Sequence, residues 1–161
     1  MTPPSERPAL GATAGGERPA GDSAEQRAAE VLIVERISAE LAVRLAPRVF
    51  TLADRRRVTV DGASEDPAIL VEAWAHQGKP KPAQKAKVVS DALKLIWIDQ
   101  ARYRGDARKI LALADAAAAA HFTGRTWIAA ALRDLRVEVC VVELPEDVRA
   151  ALRAAQLRQR R

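Results

Sequence analysis

Two acids and a group of lysines are the residues of this chain whose types and spacing could do chemistry. Glu72 falls inside its most apolar stretch, Ala68-Ile-Leu-Val-Glu-Ala-Trp-Ala75. A carboxylate there costs several kcal/mol unless it is paired or binds a metal. It shares a strand face with Leu70 and Trp74 if the stretch is extended. Asp61 stands eleven residues earlier, closing a segment in which Val58 and Val60 alternate with Thr59 and Asp61. If the two segments pair as a hairpin, both carboxylates can approach one point at a sheet edge. Two converging carboxylates make an oxygen-donor site suited to Mg²⁺ or Mn²⁺. Taken alone, Asp61-Gly62 is also an ordinary turn signal.

The six lysines, Lys79, Lys81, Lys85, Lys87, Lys94 and Lys109, all fall between residues 79 and 109. That window holds nine basic residues against Asp91, Asp99 and Asp106. Lysines beside paired acids suit a phosphodiester: ammonium groups hold phosphates, the acids hold a metal, and one lysine orients water or steadies developing charge. Lys79, Lys81, Lys85 and Lys94 are the residues expected to position a nucleic-acid backbone. A solvated helix face is the competing account, because Lys87 and Asp91 form an i,i+4 pair that Lys94 extends.

Composition narrows the class. The 161 residues suit one domain, and 48% are apolar, 34 of them alanine. One cysteine, Cys140, excludes an internal disulfide or a thiolate metal cluster and favours a reducing, cytoplasmic setting. No apolar run reaches the roughly 18 residues of a membrane span. Residues 1–22, rich in proline and glycine, carry no apolar signal core and read as a disordered tail before a single domain over 23–161. The net charge of +5 is unevenly spread, with −3 over residues 61–80 against +5 over 81–110.

The acids and lysines need elements to position them. Ser23-Ala-Glu-Gln26 fits a capping box that opens a helix with the stripe Val34, Ile37, Leu41 and Leu45, closed by Pro47. Strands are expected over 48–53, 57–61 and 68–75, the last buried on both faces. A helix over 83–97 follows Gly78-Lys-Pro-Lys-Pro82. Then come a strand over 108–114, helical turns over 115–121, a helix over 126–134, a strand over 136–143 and a last helix from Pro145 to about residue 157. Strand, helix, strand at this spacing predicts parallel neighbours, and the whole order predicts three α/β layers. Trp97, Tyr103 and Trp127 read as core or interface aromatics.

Val60-Asp61-Gly62, Leu70-Val71-Glu72-Ala73-Trp74 and Lys87-Val88-Val89-Ser90-Asp91-Ala92-Leu93-Lys94 together resemble the PD-(D/E)xK nuclease superfamily. The resemblance covers about residues 24–143. It implies a restriction-endonuclease-like α-β-β-β-α-β core, here extended by a βαβ unit around a mixed central sheet. It also implies a Mg²⁺- or Mn²⁺-dependent nuclease acting on DNA. Asp61 and Glu72 take the places of the two motif acids and would be the metal ligands. Trp74 occupies the position of the family's lysine, and some members of the superfamily supply the basic group from the following helix instead. Lys87 is the choice for it, with Lys85 and Lys94 as rivals. An acid of the first helix, Glu30 or Glu35, would complete the metal set. The superfamily also includes members without catalysis, so a nucleic-acid- or protein-binding module is the alternative. A homodimer is left open.

Overall fold

A computed structural model describes residues 23–159. The expected tail, residues 1–22, lies outside the described residues. Helix α1 (Ala24–Leu41) starts where its cap predicts, with the Gln26 N–H donating to Ser23 Oγ at 3.1 Å. Ile33, Val34 and Ile37 form its buried side. It stops before Pro47 is reached. Ala42 turns left-handed at φ 52°, and the Ser38 hydroxyl donates to the Val43 carbonyl at 2.6 Å while accepting the Leu45 N–H at 3.1 Å. Leu45, expected on the helical stripe, is therefore buried beyond the helix end.

Strands β1 (Ala46–Thr51), β2 (Arg57–Glu65) and β3 (Ala68–Trp74) form an antiparallel meander. Helix α2 (Pro82–Ile98) leads to β4 (Arg108–Leu113), which lies parallel to β3. Helices α3 (Ala116–Thr123) and α4 (Trp127–Asp134) lead to β5 (Val137–Val141), parallel to β4 as predicted, and α5 (Glu146–Arg158) follows. The mixed sheet has the order β1-β2-β3-β4-β5. One face packs Leu70, Trp74 and Leu111 against Val88 and Leu95 of α2, Phe122 of α3 and Leu132 of α4. The other packs Ile69, Val71 and Ile110 against Ile33 and Ile37 of α1 and Leu152 of α5. Each such fully buried aliphatic contributes about 1.5–3 kcal/mol, so the sheet is fixed from both sides. Trp127 departs from expectation: it is 75% exposed at the start of α4, while Trp97 is partly exposed.

Asp61-Gly62 is not a turn. β2 runs through it to Glu65, and the chain reverses at Asp66-Pro67. The register shows what the dipeptide does instead. Ala46 pairs with Ala63 but Arg48 with Val60, so two steps on β1 match three on β2. The extra residue is a β-bulge at Asp61-Gly62, a device that bends a strand and re-aims a side chain. Glycine is required there because α1 crosses close by: a Cβ on Gly62 would meet Val34 Cγ1 at 2.8 Å.

Beyond α2 the chain makes a π-helical turn, Asp99–Tyr103, that sequence periodicity did not reveal. Asp99 is fully buried, accepts the Ala107 N–H at 2.9 Å and forms an ion pair with Lys109, itself buried. No described helix is long and apolar enough to cross a membrane.

Candidate acid and lysine site

The site forms where β2 and β3 part. Their pairing runs from Glu65↔Ala68 to Gly62↔Val71 and goes no further, while β3 stays paired with β4 up to Trp74. Past Val71, the edge of β3 facing β2 has lost its strand neighbour. Asp61 fills that gap, its Oδ2 accepting the Ala73 N–H at 2.8 Å. The bulge thus turns Asp61 into a side-chain substitute for a ladder bond. Glu72 lies on the opposite strand at the same level, with its side chain 5% exposed.

Lys94 of α2 reaches Glu72, with Nζ 2.7 Å from Oε1 and 3.9 Å from Asp91 Oδ1. Lys94 is thus the cationic partner of the buried Glu72 carboxylate. Lys87, the residue chosen from the sequence, sits two turns earlier and holds Asp91 Oδ2 at 2.7 Å. Its side chain is 43% exposed against 25% for Lys94. Lys94 is therefore the lysine at the acid pair, and Lys87 is linked to it through Asp91. The expected helical pair Lys87–Asp91 is present, but it forms part of the site instead of a purely solvated face.

Electrostatics follow from burial. Removal from water pushes the Glu72 carboxyl up to about 8, and the neighbouring Asp61 charge adds to the rise, while Lys94 opposes it. Burial also raises Asp61, against the Ala73 N–H and the ammonium groups of Lys94 and Lys87. For Lys87 burial works downward, but the Asp91 charge and hydrogen bond prevail and raise it, with Glu30 and Glu72 contributing. Two adjacent acids that resist ionising together favour a cation between them.

The remaining expected residues divide. Glu30 of α1 faces this cluster closely enough for its charge to act on Lys87, whereas Glu35 is exposed. Lys79 and Lys81 are exposed in the segment before α2, and Lys85 lies on its first turn; none of their side chains makes an ion pair among the described residues. Trp74, two residues after Glu72, is buried and stacks on His76 with ring centroids 4.8 Å apart. Sequence reading missed the anchoring of this segment. Gln84 accepts the Lys81 N–H at 2.8 Å and its amide nitrogen lies 3.3 Å from His76 Nδ1. Gln156 of α5 accepts the Gln77 N–H at 2.8 Å and donates to the Gln77 carbonyl at 3.1 Å. Gln84 stands at the third position of α2, counted from Pro82, the place of a capping glutamine, whereas Gln156 carries no spacing signal.

Comparison with known proteins returned nothing: no family model, no curated protein and no solved structure matches the chain. What the site can do rests on its own chemistry. Among the described residues, no three His, Cys, Asp or Glu side chains gather into a metal-binding group. Asp61 and Glu72 alone match the way Mg²⁺ is held, by one or two carboxylates with the remaining positions left to water and phosphate. Buried beside Asp61, the Glu72 carboxylate fits such a ligand by giving up its ion pair with Lys94. A cavity of about 500 Å³ lies elsewhere, lined by Phe122, Leu132, Arg133, Arg136 and Val137, and includes none of these acids and lysines.

Proposed function

We propose that this chain is a metal-dependent nuclease that hydrolyses phosphodiester bonds of DNA. The observation that carries the proposal is the meeting of Asp61, Glu72 and Lys94 at the fork between β2 and β3. The element order α1-β1-β2-β3-α2-β4 supports it, since it is the order implied by the resemblance to PD-(D/E)xK nucleases. In this proposal Asp61 and Glu72 hold Mg²⁺ or Mn²⁺, which supplies Lewis-acid polarisation of the phosphate and a more acidic water. Asp61 is positioned by its bond to the Ala73 N–H, so its carboxylate is fixed before substrate arrives. Lys94 supplies the positive charge that steadies the phosphorane-like transition state. With Asp91 3.9 Å from its nitrogen, it can leave Glu72 without losing every anionic partner. Lys87 keeps Asp91 in place, and Lys79, Lys81 and Lys85 supply phosphate contacts without base preference.

A plasmid-nicking assay with Mg²⁺ or Mn²⁺ tests the proposal. Wild type nicks, while Glu72→Gln and Lys94→Met each lose at least tenfold. Activity of wild type and Glu72→Gln at the same rate would refute it. The lack of a third metal-capable side chain among the described residues favours a second account, a DNA-binding protein without catalysis. That account predicts metal-independent, salt-sensitive binding that survives Glu72→Gln, with no nicking by any variant.

A further inference from the structure

The β1–β2 hairpin carries a feature that the acid and lysine site leaves unused. Its tip is Leu52-Ala-Asp-Arg-Arg56, followed by Arg57 at the start of β2. Arg55, Arg56 and Arg57 are three consecutive exposed arginines, and none makes an ion pair among the described residues. Most other arginines of the sheet and last helix are committed: Arg48 to Glu65, Arg108 to Glu138, Arg149 and Arg153 to Glu146, Arg158 to Glu25.

The tip is ordered. The Leu52 N–H donates to the Arg56 carbonyl at 2.8 Å, and Asp54 and Arg55 both hold left-handed backbone, at φ 62° and 58°. Two successive non-glycine residues in that region are uncommon, and such backbone concentrates at functional sites. One face of the hairpin is braced, with Phe50 packed edge-on to Tyr103 and Val60 buried in the core. The other is bare. Along β2, Arg57 and Thr59 share it, with Thr51 and Val49 of β1 opposite them, all exposed, and Asp61 follows at the bulge, half-buried. An exposed strip of the hairpin therefore runs from the arginines to the bulge at which Asp61 turns toward the acid and lysine site. Arg56 is five residues from Asp61, at most about 17 Å of strand, which matches about five phosphates of one DNA strand.

We propose that Arg55, Arg56 and Arg57 grip the DNA backbone about five nucleotides from the bond held at Asp61 and Glu72. This deepens the nuclease proposal by assigning the substrate a second, remote contact. Arginine suits the task because its guanidinium fork meets phosphate oxygens bidentately and keeps its charge at any working pH.

The test is binding of a 30-base-pair duplex in EDTA, where cleavage does not occur, as a function of salt. Each phosphate contact contributes about 0.9 to the slope of log K against log salt. The variant Arg55→Asn/Arg56→Gln/Arg57→Gln, whose asparagine tolerates the left-handed backbone, should lose about 2–3 from that slope. Between 50 and 200 mM salt, wild-type binding should then fall about 40-fold more than that of the variant. Arg55→Lys/Arg56→Lys/Arg57→Lys should keep the slope, and Arg56→Gln alone should lose about 0.9 of it, which covers a triple variant that fails to fold. An unchanged slope in the neutral variants, or no DNA binding by wild type at 50 mM salt, overturns the grip. Nicking is scored separately. A lost slope without any nicking by wild type leaves the grip standing and removes the nuclease; nicking with an unchanged slope does the reverse.

Discussion

Replacing Glu72 by glutamine should remove a fall in stability that the wild type shows as pH rises. The substitution keeps the shape of the side chain and removes its ionisation. In the wild type, burial holds the carboxyl at about 8, above its ordinary 4.5. A folded state with the higher value binds the extra proton, so this contribution to stability is complete below 4.5 and is lost as pH rises to about 8. The interval is about 3.5 pH units at about 1.36 kcal/mol each, a ceiling of about 5 kcal/mol for this group acting alone. Glu72→Gln has no such loss. It leaves Lys94 without its closest anion, but that side chain is one quarter exposed and keeps Asp91 at 3.9 Å, so the compensating cost should stay within about 1 kcal/mol. Urea unfolding followed by tryptophan fluorescence at pH 5, 7 and 9 reads the difference, with buried Trp74 as a reporter close to the site. The two proteins should be similar at pH 5, and the variant should be the more stable by a few kcal/mol at pH 9. Parallel curves for wild type and variant across that range would refute the account of Glu72 as a carboxyl forced upward by burial.

Three further outcomes follow from contacts described above. Gly62→Ala places a methyl 2.8 Å from Val34 Cγ1 and should cost about 1–3 kcal/mol, seen as a lower thermal midpoint. Lys109→Met strands the fully buried Asp99 charge and should cost about 3–5 kcal/mol, most of it regained when Asp99→Asn is added; chemical denaturation of single and double variants measures both. Gln156→Ala removes two hydrogen bonds to the backbone of Gln77 and should cost about 1–3 kcal/mol, with amide exchange at Gln77 accelerated.

The elements were largely legible because their signals are local. Ser23 caps α1 as its side chain dictates, and the apolar run of Ala68–Ala75 became the central strand β3. What escaped was set by partners distant in sequence. Asp61-Gly62 looks the same whether it makes a turn or a bulge, and α1 packing over Gly62 decides for the bulge. The choice between Lys87 and Lys94 depends on where α2 crosses β3, which helical spacing leaves open, since both lie on the same side of the helix. Lys109 counted as one more basic residue near the others, yet it is spent on Asp99 inside the core. Leu45 continued the helical period of α1, and the left-handed Ala42 and the Ser38 hydrogen bonds to Val43 and Leu45 mark where the chain leaves it.

The bulge also separates two rulers. On one side of Asp61-Gly62, β2 keeps step with β3 and the core; on the other, it keeps step with β1 alone. Residues added in pairs at the Leu52–Arg56 tip would lengthen the hairpin by about 3.3 Å for each residue placed in a strand, and would leave the register at Glu72 untouched. A single added residue in β2 would instead turn Arg57 and Thr59 to the opposite face. Within this architecture the reach of the hairpin can change in steps of one residue pair while the acid pair stays where it is.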